Sequence, residues 1–335
     1  MCSPKTNLNA KRPARYRERI RTCDPVPDTR LTLPAFAKIN LSLRVLGKRP
    51  DGYHELDTVL QTISVHDTIN FTVTDTPEIV LSCDDRSLPT GADNLVYRAA
   101  ESLQARFAPG KGARIRLEKR IPAQAGLGGG SADAAVTLLA LAYLWQASAK
   151  AQELLEIAFG LGADVPFFLC GGTARGVGTG KDLTNRTDAS DQFLLVIKPN
   201  SSIATAEAYK SIMARTLTTA EAKTILSSSE RGEISDSFGS KALQNDFEPV
   251  VFELKPEIKR AKVALLKSGA AAALLAGSGS AVFGVFHSGD AQARAIQAIE
   301  LEAGWRVFPC RTVTRSLYQS AMGAAGEMFA HCFGR

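Results

Sequence analysis

KRIPAQAGLGGGSADAA (Lys119–Ala135) decides the reading of this chain, because four glycines fall within five residues directly before an apolar helical run. The segment before it, ARIRLEKRI, alternates like a strand and is closed by Pro122. The segment after it predicts a helix from about Ser131 to Trp145. Strand, glycine loop and helix together make an anion site. A helix start exposes unpaired N–H groups and partial positive charge, and glycine lets an anion come close to the backbone. The familiar nucleotide patterns do not fit. No lysine follows these glycines as the P-loop pattern requires, and Ser131 stands where a dinucleotide fingerprint starting at Gly126 needs its last glycine. GVGTGKD fails too, with Arg175 at the first glycine position and Asp182 after Lys181. A loop that only packs its helix on a sheet stays open at this point. Asp133 would repel a phosphate it faced and is expected to point elsewhere.

The 335 residues are 45% hydrophobic and 22% charged, an ordinary globular composition. No apolar run approaches the ~20 residues of a membrane helix. The net charge of +6 lies almost wholly in residues 1–30, so it describes a basic, disordered extension and not a nucleic-acid-binding face. That extension has no apolar core of a secretory signal. Six cysteines without C-x-x-C spacing and four histidines argue against a zinc cluster. They predict reduced thiols and a cytoplasmic chain.

LTLPAFAKINLSLRVL from Leu31 predicts a strand or strand pair, Pro50-Asp51-Gly52 a turn, and DTVLQTISVHDTINFTVTD two strands. Helices are predicted over 93–107, over AQELLEIAFGLG, near 205–214, and over PEIKRAKVALLKSG and DAQARAIQAIELEAG. VPFFL and QFLLVIKP predict strands, LLAGSGSAVFGVF a strand–turn–strand, and WRVFPCRTV an edge strand. Hairpins mixed with crossovers give an α+β class, with a boundary near 190.

PAQAGLGGGSADAA resembles the phosphate-loop signature P-x-x-x-G-L-G-S-S-A-A of the GHMP kinase superfamily. PAFAKINLSLRVLGKRPDGYHEL resembles the first motif of that superfamily and LLAGSGSAVFGVF its third, in order, over residues 34 to 286. The resemblance implies two domains, 31–190 and 191–325, the first like ribosomal protein S5 domain 2 and the second a ferredoxin-like α/β sandwich. It implies an ATP-dependent small-molecule kinase with Mg²⁺ on the phosphates. ATP would lie on Pro122, Ala123, Gln124, Ala125, Gly126, Leu127, Gly128, Gly129, Gly130, Ser131 and Ala132, with Lys119 in reach. A second loop, Gly277, Ser278, Gly279 and Ser280, would lie near the phosphates. Only one serine, Ser131, stands where the superfamily usually has two, so no side-chain role falls to Ala132.

The segments AKINLSL, DGYHEL and GADVPFFLCGGTARGVG resemble the branch that phosphorylates the 2-hydroxyl of a cytidine diphosphate ester of methylerythritol, in isoprenoid synthesis. By that resemblance Lys38 and Asp164 are catalytic, and Asn40, Tyr53, His54, Thr205 and Tyr209 bind substrate. Read alone, Lys38 could equally be a structural ion pair, Asp164 a helix-end cap, and Tyr53 and His54 turn residues. The partner is a small molecule, with no nucleic acid or membrane expected and a monomer or weak homodimer as the working form. A mevalonate- or homoserine-type kinase, or a nucleotide-binding regulator without transfer activity, remain as alternatives. No role is read for residues 210–240.

Overall fold

The computed structural model describes residues 29–49, 54–180, 182–212 and 243–329. Residues 1–28 of the expected extension over 1–30, the Pro50–Gly52 turn and Tyr53 lie outside that set.

Two long strands form the spine. β1 (Arg30–Lys48) pairs antiparallel with β2 (His54–Thr74), with register shifts between Phe36/Ala37, Asn40/Ser42 and Val45/Gly47. Each extra residue re-aims the strand. The buried residues of β1 therefore serve three cores in turn: Leu33 and Ala35 the first, Ala37 and Ile39 the second, Leu43 and Val45 the third. Lys38 and Asn40 lie between these apolar positions and point the other way, as alternation requires. DTVLQTISVHDTINFTVTD is one bent strand, not two. Its first half pairs with β5 (Thr173–Gly178) and its second with β4 (Gly112–Glu118), so the β-branched run never reverses. β3 (Ile79–Cys83), β6 (Asp182–Asn185) and the short β8 (Gln244–Asn245) complete this sheet.

α1 (Leu95–Phe107) is capped by Asn94, whose side chain accepts from Val96 N at 2.9 Å. α2 (Gly129–Leu144) is buried on nearly every side, which its apolar composition requires. α3 (Ala151–Leu161) ends at Gly162. VPFFL is not a strand: Pro166–Leu169 form a 3₁₀ turn and the strand begins only at Thr173. A short apolar run cannot by itself separate the two.

The second sheet has the order β11 (Arg306–Arg311), β7 (Phe193–Lys198), β10 (Val282–Phe286), β9 (Ala272–Leu275), all antiparallel. Leu195 and Ile197 of β7 pack against α4 (Thr205–Ile212), α5 (Glu248–Leu254), α6 (Pro256–Lys267) and α7 (Gly289–Ala298), while Leu194 and Val196 face the first sheet. α8 (Arg315–Met322) and the 3₁₀ turn Gly323–Phe329 return to the first core, although the expected second domain runs to 325.

Among the described residues Cys83 and Cys310 are free thiols, Cys310 buried and Cys83 half-buried.

Candidate active site

A cavity of about 960 Å³ opens between the two sheets, with the glycine loop as its floor. The loop holds Gly126 at φ +76° and Gly128, the N-cap of α2, at φ +72°. The first intrahelical bond of α2 runs from Ala132 N to Gly128 O at 2.9 Å. The amides of Gly129, Gly130 and Ser131 therefore stand outside the helical ladder, as four orphan donors do at any helix start. Ala132 does not join them: its N–H is spent on Gly128 and its side chain is fully buried, which removes it from the expected phosphate contacts.

The loop is strapped to both sheets. Lys38 N donates to Leu127 O at 2.9 Å, and Ala281 N donates to Ala125 O at 3.0 Å. A Cβ on Gly126 would lie 1.9 Å from Ala276 O, so the second Gly/Ser loop packs directly on the first. Gly277 and Ser278 line the cavity. Gly279 and Ser280 do not; Ser280 is fully buried and turned toward Gln124 O. Pro122 to Ser131 all line the cavity.

At the mouth of α2, Lys38 Nζ lies 3.3 Å from Asp164 Oδ2. Lys38 is 4% exposed while the Asp164 side chain is 38% exposed, so the carboxylate faces the cavity and the ammonium lies behind it. Lys38 Nζ also donates to Asn40 Oδ1 at 2.8 Å. Asp164 precedes the 3₁₀ turn, which is anchored by Tyr318: its hydroxyl donates to Phe168 O.

On another wall the Tyr209 ring packs against His54 at a 32° tilt with centroids 4.7 Å apart and meets Phe247 edge-on at 4.8 Å. Burial, then the Lys48 charge, lowers the His54 pKa and keeps the imidazole neutral near pH 7. Burial raises the Tyr209 phenol, with Asp164 adding to it. Thr205 Oγ1 is 3.1 Å from Ser278 Oγ, so the helix carrying Tyr209 touches the second glycine loop.

Lys119 lines the cavity, and its ammonium donates to Asp67, and to Asp133 Oδ2 at 2.8 Å. Burial works against the Lys119 charge; Asp133 and Asp67 overcome it and hold its pKa above the ordinary value. Burial pushes Asp133 up to about 8, with Lys119 pulling down and Asp67 pushing further up. Asp133 Oδ1 has no hydrogen-bond partner among the described residues, which a neutral carboxyl tolerates better than an anion.

The glycine-loop segment and a later segment also match two family models, GHMP kinases N terminal domain over residues 94–172 and GHMP kinases C terminal over 231–303. The 4-diphosphocytidyl-2-C-methyl-D-erythritol kinase of Pelotomaculum thermopropionicum is 43% identical over 76% of this chain and 88% of its own. That of Solibacter usitatus is 42% identical over 87% and 92%. The chain belongs to the 4-diphosphocytidyl-2-C-methyl-D-erythritol kinase family. A crystal structure of a 4-(cytidine 5'-diphospho)-2C-methyl-D-erythritol kinase superposes with a TM-score of 0.68 at 35% identity, covering 84% of this chain and 99% of the other. Homoserine kinase from Cytophaga hutchinsonii shares the fold at 19% identity, with a TM-score of 0.64 over 86% and 95% of the two chains.

Within this kinase family member, Lys38, Asn40, His54, Lys119, Asp164, Thr205 and Tyr209 all line one cavity although they are scattered over the sequence. Sequence reasoning missed Thr58, Leu88, Pro89, Asn94 and Phe247, which line it too. Asn94 carries a readable signal as a helix cap; its Nδ2 also donates to Pro89 O at 2.7 Å, which shapes the wall beside Gly130. Phe247 lies in a stretch with no helix or strand pattern.

Proposed function

We propose that this chain transfers the γ-phosphoryl group of ATP to the 2-hydroxyl of 4-diphosphocytidyl-2-C-methyl-D-erythritol, a step of the non-mevalonate route to isopentenyl diphosphate. The observation that carries the reading is the Lys38–Asp164 couple, 3.3 Å apart, at the mouth of the glycine-loop helix. Phosphoryl transfer passes through a loose transition state, so positioning and charge stabilisation dominate. The free amides of Gly129, Gly130 and Ser131 and the helix start hold the triphosphate. Asp164 takes the proton of the 2-hydroxyl while the new O–P bond forms; the β,γ P–O bond breaks and its electron pair leaves with ADP. The Lys38 ammonium polarises the acceptor oxygen and steadies the charge on the transferring group.

The aromatic wall takes the cytosine. Tyr209, backed by Phe247, and the neutral His54 ring beside it make an aromatic wall on which the base can pack. Thr205 and Asn40 flank the erythritol. Tyr53 belongs to the same reading, beside His54 in the chain.

A Mg²⁺ ion would come in with the phosphates, and the half-buried Ser131 hydroxyl at the helix mouth is the side chain that could touch it. When bound, the ion neutralises charge on the β and γ oxygens. Lys119 braces α2 against β4 through two carboxylates, and the third N–H of its ammonium can meet a nucleotide in the cavity it lines. Every group comes from one chain, so a monomer suffices, with the two units dividing near residue 190. No helix among the described residues is long and apolar enough to cross a membrane.

The test is ADP release with three acceptors: the cytidyl-erythritol ester, mevalonate and homoserine. Release with the first alone is expected; release with mevalonate or homoserine instead would assign the cavity to another alcohol.

A further inference from the structure

We propose that Thr58 is a positioning residue for phosphoryl transfer: its hydroxyl anchors the far end of the Asn40 carboxamide whose oxygen holds the Lys38 ammonium. Three hydrogen bonds in series carry this. Thr58 Oγ1 donates to Ser42 O at 2.7 Å, Asn40 Nδ2 donates to Thr58 Oγ1 at 2.8 Å, and Lys38 Nζ donates to Asn40 Oδ1 at 2.8 Å. Lys38, Asn40, Ser42 and Thr58 are each no more than 8% exposed.

The direction of every bond follows from the two ends. A backbone carbonyl can only accept, so the single Thr58 hydroxyl proton goes to Ser42. Thr58 Oγ1 then has only lone pairs left, and Asn40 must turn its NH₂ toward it. The other end of the carboxamide, the oxygen, meets Lys38, which can only donate. A reversed amide would set N–H against an ammonium and C=O against a lone pair, two buried mismatches at once. Replacing the Thr58 hydroxyl by a methyl leaves the Asn40 NH₂ without its buried acceptor. Lys38 still selects the oxygen end, but the carboxamide is no longer held at its far end and tilts, which loosens its grip on the ammonium that sits between Asn40 and Asp164. β1 makes this possible. Its register shift between Asn40 and Ser42 brings the Ser42 carbonyl and the Thr58 side chain of β2 together beside Asn40.

The inference rests on the proposed role of Lys38 in the transfer. Its test uses the full chain with the cytidyl-erythritol ester and ATP. Thr58→Val lowers kcat by about 10- to 100-fold, the loss of one buried charge-aiming hydrogen bond, and leaves both KM values within about twofold. Thr58→Ser restores kcat to near the parent. In an Asn40→Ala background, Thr58→Val adds less than about twofold, because the carboxamide it anchors is gone. Should Thr58→Val not fold, Thr58→Ala takes its place in the same comparison.

Full kcat in Thr58→Val overturns the proposal. So does a loss confined to the KM of the ester, which would make Thr58 a substrate contact, and so does an undiminished loss in the Asn40→Ala background. Lys38→Met separates the two levels: an active Lys38→Met removes the role of Lys38 itself, whereas an inactive one beside an unimpaired Thr58→Val removes only the relay.

Discussion

Asp133 opens α2 from beneath, and its environment decides its charge. It is 2% exposed, accepts from Lys119 and stands near Asp67, which itself accepts from the backbone of Arg120 and Ile121 at 2.5 and 2.8 Å. One lysine between two buried carboxyls balances one negative charge, and burial selects Asp133 to keep its proton, at a pKa of about 8. An unfolded aspartate titrates near ~3.9. Between those values the folded chain holds a proton that the unfolded chain has released, so stability falls as pH rises from about 4 toward 8. Asp133→Asn removes that slope. The melting temperature of the parent is expected to drop from pH 5.5 to 7.5 more than that of the variant; parallel curves would show Asp133 ionised throughout. The place of Asp133 near the start of the helix was legible; it lines the cavity with its carboxyl held on Lys119. Its lysine and aspartate partners were not legible, since they come from β4 and β2. Lys38 was legible as a cation in an apolar strand. Asp164 carried no signal of its own, because its meaning lies in a contact made across 126 residues of chain.

At the scale of elements, the glycine loop and α2 could be read directly, since glycine crowding followed by an unbroken apolar run has few other outcomes. Gly126 shows why the loop is so bare: at φ +76° its backbone lies against Ala276 O. Gly126→Ala must part the two loops, and unfolding measurements are expected to show a loss of about 1–3 kcal/mol or more. Gly130→Ala is the control. It lies within α2 and a methyl there meets only Leu95 Cδ1 at 3.6 Å, so stability stays within about 1 kcal/mol of the parent or rises. Equal losses in both would mean that the loops do not touch. Other elements were opaque for local reasons. EPVVFEL is only seven residues long and carries two β-branched valines, so its apolar run does not separate helix from strand. RSLYQSAM buries only Tyr318 and Met322 and leaves Leu317 exposed, so its apolar pattern does not mark one face. The VPFFL run turned into a 3₁₀ segment because its proline opens a turn that buries both phenylalanines on the first core.

The molecule as a whole is two sheets with one cavity at their junction, and this is where alternation alone says least. The second sheet is covered on both faces, by helices on one side and by the first sheet on the other, so its strands read as continuous apolar runs that do not declare which face meets what. The resemblance of three ordered motifs supplied what periodicity could not: that loops from both sheets meet over one site. The junction explains the division of labour proposed for the site. The first sheet brings Lys38 and the phosphate loop; the second unit brings Thr205, Tyr209 and the Ser278 loop; and Asp164 stands between them. The central claim is that this junction holds a carboxylate–ammonium couple that activates an alcohol toward a helix-bound triphosphate. Single-turnover phosphorylation of the cytidyl-erythritol ester by Asp164→Asn, with ATP and ester affinities measured alongside, tests it most directly. The account predicts transfer slowed by roughly 10²- to 10⁴-fold with both affinities and the fold retained; transfer at the parent rate would contradict it.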